Sequence, residues 1–131
     1  MRTYALTTAA YQRAALFVRK DLAELLFNTL FNYRDKEKFR LHGFVVMPEH
    51  IHVLLSPASD LTIERCAQLI KGGFSHAARE YFKGEIWQTG FHEHRVRDAE
   101  DFTGQLEYIA SNPQKRHLHD YAFVHTRFME K

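Results

Sequence analysis

The pattern of apolar and polar residues along the chain predicts alternating strands and helices. Apolar residues recur every three or four positions over 21–33 and again over 61–82, which is the spacing of one helix face. Short runs with strand composition cover 4–8, 39–47, 50–55 and 91–97, and a last helix is expected over 99–111. This order predicts an α+β, ferredoxin-like βαββαβ antiparallel sheet with two helices on one face and an extra C-terminal helix.

Local signals suggest where these helices begin and end. Asp21, followed three residues later by Glu24, is typical of a capping box at a helix start. Pro113 predicts the end of the last helix, because the residue before a proline avoids helical geometry. Gly72 and Gly73 interrupt the second helix, where each costs about 1 kcal/mol relative to alanine. Close packing and room for a nucleic-acid backbone both explain them.

The two central strands form a predicted hairpin, divided by Pro48, which has no amide hydrogen to donate. In the second of these strands, side chains two positions apart share a face. His50 and His52 therefore point one way, and the apolar residues between them point into a core. Two neutral imidazoles on one strand face can chelate a divalent ion. A second His-x-His pair, His92 and His94, lies on the last predicted strand.

Composition adds few constraints on function. The length of 131 residues, with 45% hydrophobic and 26% charged residues, fits one globular domain over 1–131. A formal charge of +2 favours no particular partner. The single cysteine excludes an intrachain disulfide and fits a reducing compartment. The sequence has neither a membrane-length apolar run nor a signal-peptide pattern, so we expect a cytoplasmic protein with no membrane partner.

The last predicted helix carries a polar stripe. Asp101, Gln105, Tyr108 and Asn112 stand at i, i+4, i+7 and i+11, so they follow one another along one face. An amide oxygen one turn from a phenol can complete a metal site while the phenol meets a substrate. The same spacing is typical of a half-buried tyrosine followed by an asparagine helix cap. The spacing alone leaves both interpretations open.

Three blocks in sequence order carry a resemblance to a known family. Residues 43–52 (GFVVMPEHIH), 87–98 (WQTGFHEHRVRD) and 108–113 (YIASNP) resemble the corresponding motifs of the HUH single-tyrosine transposases. The last block is similar above all to the branch associated with repetitive extragenic palindromes. The blocks span most of 39–116. The chain departs from that pattern at 114–117, where it reads QKRH and relatives often have small apolar residues and a glycine.

The resemblance implies a metal-dependent enzyme that nicks and rejoins single-stranded DNA through a 5′-phosphotyrosine. By motif position, Tyr108 corresponds to the nucleophile, and His50, His52 and Asn112 correspond to ligands of Mg²⁺ or Mn²⁺. The implied partner is single-stranded or hairpin DNA, and the resemblance allows a homodimer. Basic residues that could contact the DNA backbone are Lys71, Arg79, Arg95, Arg97, Lys115 and Arg116.

Three other functions fit parts of the same pattern. A ferredoxin-like RNA-binding module would use the aromatic residue of Gly43-Phe44-Val45-Val46, although Val46 stands where a second stacking aromatic is needed. A zinc hydrolase would use both His-x-His pairs with Glu49 or Glu93 as base, although strand alternation places these carboxylates on the opposite face. A degenerate transposase would still bind hairpin DNA without moving it.

Overall fold

The computed structural model describes residues 2–115 and 124–126, with the backbone alone at 113–115 and 124–126. Short 3-10 turns join the first strand to the first helix. The bounds of the elements are β1 (Tyr4–Ala9), α1 (Lys20–Asp35), β2 (Phe39–Val46), β3 (His50–Pro57), α2 (Ile63–Ala78), β4 (His92–Arg95), α3 (Ala99–Lys115) and β5 (Val124–Thr126).

The strands form one antiparallel sheet in the order β4-β1-β3-β2-β5. The first four strands have the ferredoxin-like arrangement that the sequence predicts. The fifth strand was not predicted, and it pairs with β2 at Gly43–Val45. A three-residue strand has too little pattern to be recognised without its partner. Among the described residues, no helix has both the length and the apolar character of a membrane span.

The two faces of the sheet carry separate hydrophobic clusters. Ile51, Val53 and Leu55 pack with the apolar residues of α1 and α2. Leu54, from the alternate positions of the same strand, packs instead with Leu106 and Ile109 of α3. The extra helix therefore covers the second face, and His50 and His52 lie on that face because they alternate with Ile51 and Val53.

The helix starts differ from the predicted ones. Arg19 occupies the N-cap position of α1 and makes no side-chain cap, while Asp21 lies inside the first turn. The Asp21 carboxylate binds the Arg19 guanidinium at 2.8 Å and accepts a hydrogen bond from the Leu22 amide. The predicted Asp21 capping box is therefore wrong, because the arginine holds that carboxylate. Thr62 caps α2 by accepting a hydrogen bond from the Arg65 amide.

The second helix ends at Ala78, four residues before the predicted end. The amides of Tyr81 and Phe82 both donate to the carbonyl of Ala78. These two hydrogen bonds close a turn at the position where a longer helix would continue its regular series of hydrogen bonds. Within the helix, a Cβ on Gly73 would lie 2.6 Å from the Tyr33 hydroxyl oxygen of α1. Close packing between α1 and α2 therefore explains Gly73. A Cβ on Gly72 would meet no described atom within 4 Å, so packing among the described residues does not explain that glycine.

The third helix continues through Pro113 to Lys115. The prediction that this proline ends the helix is wrong. A proline in a helix interior costs about 3 kcal/mol through the missing amide hydrogen and crowding of the preceding turn. The burial of Leu106 and Ile109 against the sheet gives α3 packing energy that propensity does not include. Asn112 is therefore an interior helix residue and does not act as a C-cap.

Candidate functional site

A cavity of about 490 Å³ lies between α3 and the β4, β1 and β3 strands. It brings together both His-x-His pairs and the tyrosine of the predicted site. Its lining residues are Ala5, Thr7, His50, His52, His92, Glu93, His94, Gly104, Gln105 and Tyr108. Two of the elements that build it, β3 and α3, are about fifty residues apart in the sequence, so the cavity is a product of the tertiary fold.

Sheet register explains why four histidines share this face. Thr7 lies opposite His52 on one side and opposite His92 on the other, and Ala5 lies opposite His94. Residues directly opposite each other in an antiparallel sheet point to the same face. The second His-x-His pair therefore extends the same surface, on the exposed edge strand β4.

His50 contacts a carboxylate that strand alternation did not place in the site. Its Nδ1 lies 3.1 Å from Oε1 of Glu49, and the Arg13 guanidinium lies 3.6 Å from the same oxygen. Glu49 belongs to the turn before β3, where the alternation rule does not apply. Glu49 thus reaches His50 from the turn, whereas alternation within a strand would place its carboxylate on the opposite face. A carboxylate on one ring nitrogen is a common way to orient a histidine that binds metal through the other.

His52 is buried beneath α3 and is held at both ring nitrogens. Its Nδ1 lies 2.8 Å from Thr7 Oγ1, and its Nε2 lies 3.3 Å from Gln105 Oε1. Burial lowers the pKa of His52; the Gln105 hydrogen bond partly opposes this effect, and the nearby His50 adds to it. The lowered pKa favours the neutral imidazole, which is the form that binds metal ions.

Tyr108 lies at the solvent-open part of the cavity. Its side chain is 43% exposed, and its ring centroid lies 5.1 Å from that of His52, with the rings inclined at 64°. The helical stripe predicted from the sequence thus places a phenol directly beside the strand histidines. A substrate that enters from solvent can reach this phenol and the histidine pair together.

Asn112 lies one turn beyond Tyr108 and is almost completely buried, at 5% exposure. Among the residues that the structure describes with side chains, its Nδ2 has no hydrogen-bond partner, which is uncommon for a buried amide. Asn112 is absent from the residues that line the cavity, whereas Gln105 is present. The structure therefore brings Tyr108, His50 and His52 together around one space whose lining does not include Asn112.

The second His-x-His pair is tied to α3 through Asp101. His94 Nε2 lies 2.8 Å from Asp101 Oδ2, and the backbone amide of Arg97 donates to the same oxygen at 3.0 Å. The His94 hydrogen bond, followed by the Arg97 amide, lowers the pKa of Asp101 to about 2. Gln105 Nε2 lies 3.4 Å from the other carboxylate oxygen, so Asp101 links β4 to the His52 environment.

Two of the predicted DNA-contacting residues make local contacts away from this cavity. The Lys71 ammonium donates at 2.9 Å to the carbonyls of both Gln88 and Gly90, and burial lowers its pKa. Lys71 therefore anchors the loop that precedes β4. Arg79 is the C-cap residue of α2, and its guanidinium donates to the carbonyl of His76.

Arg95 is the last residue of β4, Arg97 follows it, and the backbone of Lys115 ends α3. Arg95 is opposite Tyr4 in the sheet register, so it faces the α1 and α2 side. Arg97 follows β4, and its side chain is 79% exposed with Nε 3.6 Å from Asp101. The side chain of Lys115, together with the whole of Arg116, lies outside the described residues.

A larger cavity, of about 900 Å³, lies at the other end of the sheet. It is lined by arginines 2, 34 and 40, and also by glutamates 37, 64 and 93, so its charge is mixed. Ser56 Oγ lies 2.8 Å from His42 Nε2 there, but Ser56 is only 1% exposed. This hydroxyl cannot meet a substrate without a rearrangement of β3, so the cavity with Tyr108 is the better candidate.

The two alternative binding chemistries lose support in the structure. Phe44, which an RNA-binding module would use for base stacking, is fully buried, with its ring 4.7 Å from that of Phe27. The described residues include no group of three or more His, Cys, Asp or Glu side chains arranged to hold a metal ion.

Comparison with known proteins relates this chain to transposases. Residues 2–112 match the family model for IS200-like transposases. A REP-associated tyrosine transposase of Escherichia coli (strain K12) is 30% identical over 93 residues, which are 70% of this chain and 54% of its own. A relative from Haemophilus influenzae is 33% identical over 98 residues, or 66% of this chain and 54% of its own. The chain thus spans about half the length of the curated relatives it matches.

Solved structures show the same fold. A REP-associated tyrosine transposase solved bound to a REP hairpin aligns with a TM-score of 0.79 and 26% identity, over 94% of this chain and 75% of its own. A crystal structure from Deinococcus radiodurans R1 aligns with a TM-score of 0.61 and 20% identity, over 86% of this chain and 91% of its own. At that lower identity, the second likeness concerns the fold alone.

Proposed function

The chain belongs to the IS200-like transposase family, and we propose that it nicks and rejoins single-stranded or hairpin DNA through a phosphotyrosine at Tyr108. The observation that carries the proposal is the exposed Tyr108 ring, 5.1 Å from the His52 ring in a cavity that His50 also lines. All three side chains come from one chain, so the proposed chemistry requires no second copy. Because the substrate is DNA, we also propose a cytoplasmic location.

The residues present fit a divalent ion. Glu49 and Thr7 contact the Nδ1 atoms of His50 and His52, an arrangement that directs Nε2 toward a metal. By motif position, Asn112 would add an amide oxygen. The ion would be Mg²⁺ or Mn²⁺, with Mn²⁺ favoured by the imidazole ligands. When bound, it would supply positive charge to the phosphate oxygens and orient the phosphorus.

In the proposed step, the Tyr108 hydroxyl oxygen attacks the phosphorus of the scissile phosphodiester. A new bond joins this oxygen to phosphorus, and the bond from phosphorus to the 3′-oxygen breaks. The electron pair of the broken bond stays on the 3′-oxygen, which takes a proton from water, while the phenol proton passes to water. An ordinary phenol is only about one thousandth ionised at pH 7, so forming the phenolate costs roughly 4 kcal/mol. The ester is conserved, so a 3′-hydroxyl can reverse the step.

Hairpin DNA is the proposed substrate, because a structurally similar protein is solved bound to a REP hairpin. Among the basic residues described with side chains, Arg97 is the best candidate for a contact with the DNA backbone near the site. Its guanidinium is exposed while its backbone amide is fixed to Asp101. Arg79 and Arg95 remain candidates for contacts outside the cavity, Lys115 and Arg116 remain candidates from the sequence, and Lys71 would act through the loop that it anchors.

The test is covalent attachment. The wild type and Tyr108→Phe are incubated with labelled single-stranded hairpin DNA and Mn²⁺, and denaturing gels are used to detect a protein–DNA adduct. We expect the adduct in the wild type and none in the variant, because a phenyl ring cannot attack phosphorus. Tyr81→Phe is the matched control, since Tyr81 is also exposed (53%) but lies outside the residues that line the cavity. An adduct in Tyr108→Phe, or one mapped to another tyrosine, would refute the assignment.

A further inference from the structure

Gln105 occupies a position in the cavity that neither the motif nor the family match assigns. It lies on α3 three residues before Tyr108, so both side chains project toward the same region of the sheet. Its Oε1 is 3.3 Å from Nε2 of His52, and its own Nε2 is 3.4 Å from Oδ1 of Asp101. Gln105 therefore has its oxygen at the histidine and its amino group at a carboxylate.

Asp101 fixes this orientation of the amide. An ionised carboxylate only accepts hydrogen bonds, so the side of the Gln105 amide that faces it must be the NH₂ group. The other oxygen of Asp101 contacts His94 at 2.8 Å and the Arg97 amide at 3.0 Å, which keeps the carboxylate in place. A rotation of the Gln105 amide by 180° would place two oxygens against each other. The oxygen of Gln105 is consequently directed at His52.

The other side of His52 allows either ring nitrogen to carry the proton. With a proton on Nε2, the imidazole donates to Gln105 Oε1, and the Thr7 hydroxyl donates to Nδ1. With the proton on Nδ1, the Thr7 hydroxyl accepts it, because a hydroxyl both donates and accepts. In this second tautomer, the lone pairs of His52 Nε2 and Gln105 Oε1 face each other, and a cation coordinated by both atoms would remove their repulsion.

We propose that Gln105 Oε1 binds the divalent ion beside His52. The inference rests on the metal dependence of the proposed function and adds a ligand to the set that the motif implies. Two ligands at right angles on an octahedral ion, each about 2.0–2.1 Å away, lie about 2.9 Å apart. The 3.3 Å between the two donor atoms is within a few tenths of an ångström of that spacing. Asp101 is a positioning residue for this ligand, since its carboxylate holds the amide without touching the ion.

The experiment measures Mn²⁺ binding to the full chain without DNA. Isothermal titration calorimetry gives the Kd for the wild type, Gln105→Leu and Gln105→Ala, and proton relaxation gives the number of water molecules on bound Mn²⁺. We expect both variants to bind at least tenfold more weakly and to carry one more bound water, because the lost oxygen is replaced by solvent. Gln68→Leu is the matched control, since Gln68 is exposed on α2 away from the histidines.

The outcomes separate a ligand from a residue that only positions His52. Unchanged affinity in both Gln105 variants would overturn the proposal. Weaker binding with an unchanged number of bound waters would also overturn it, because the first coordination shell would then be intact. His52→Ala, measured in parallel, tests the metal site itself: if that variant binds Mn²⁺ like the wild type, the histidine site of the proposed function fails. The Tyr108 adduct assay tests the proposed cleavage separately.

Discussion

The paired glycines of α2 allow a stability prediction. Alanine at the first position should raise the free energy of unfolding, and alanine at the second should not. Gly72→Ala adds a methyl group that meets none of the described atoms within 4 Å. The substitution should therefore raise the free energy of unfolding by about 1 kcal/mol, which is the intrinsic helix preference of alanine over glycine. For a chain of this length, that gain corresponds to a rise in Tm of roughly 3–5 °C.

Gly73→Ala has the same intrinsic gain but a steric cost. Its methyl carbon would lie 2.6 Å from Oη and 2.8 Å from Cε2 of Tyr33, both well inside van der Waals contact. The Tyr33 ring must shift or α1 must move away from α2, and overpacking of this kind typically costs about 1–3 kcal/mol. We expect Gly73→Ala to be neutral or to destabilise by up to about 2 kcal/mol.

Urea unfolding followed by circular dichroism measures both variants and the combination of Gly73→Ala with Tyr33→Ala. In the Tyr33→Ala background, the clash is absent, so Gly73→Ala should stabilise by about 1 kcal/mol, as Gly72→Ala does in the wild type. Equal stabilisation by the two single substitutions would refute the packing explanation of Gly73. A destabilising Gly72→Ala would show that this position has a contact which the structure does not contain.

Two further predictions concern α3. The pKa of Asp101 is lowered to about 2, chiefly by His94, so its stabilising contribution should be present above about pH 4 and lost as the pH falls toward 2. Asp101→Asn should therefore lower the urea midpoint at pH 6. In this variant, the midpoint should also decrease less between pH 4 and pH 2 than it does in the wild type. Glu107→Gln, at an exposed site on the same helix, is the control and should show neither effect. Asn112→Leu removes a buried Nδ2 that has no partner within the described part of the chain, so it should leave the free energy of unfolding unchanged or raise it by about 1–3 kcal/mol. A loss of stability in Asn112→Leu would contradict this reasoning, and weaker Mn²⁺ binding in calorimetry would support the motif-based role of Asn112 as a ligand.

The fold could be predicted because its signals are local and periodic. Alternation in β3 separates His50 and His52 from Ile51 and Val53, and the sheet preserves that separation across two hydrophobic clusters. Helical spacing places Tyr108 on a polar stripe, and α3 presents it beside His52. The errors fall at element ends, where Arg19 displaces Asp21 as the N-cap and α3 continues through Pro113. A single contact or packing against the sheet outweighs propensity at such places.

The sequence by itself determined the order of the first four strands and the three helices, the face of β3 that carries the histidines, and the family to which the chain belongs. Only the tertiary structure decided which distant residues complete the site. Pairing of β1 with both β3 and β4 brings His92 and His94 to the face of His52. Packing of α3 brings Gln105, rather than Asn112, to the cavity beside that imidazole. These neighbours depend on sheet register and helix placement, which are set by burial of apolar surface over the whole domain and leave no periodic signal in any one segment.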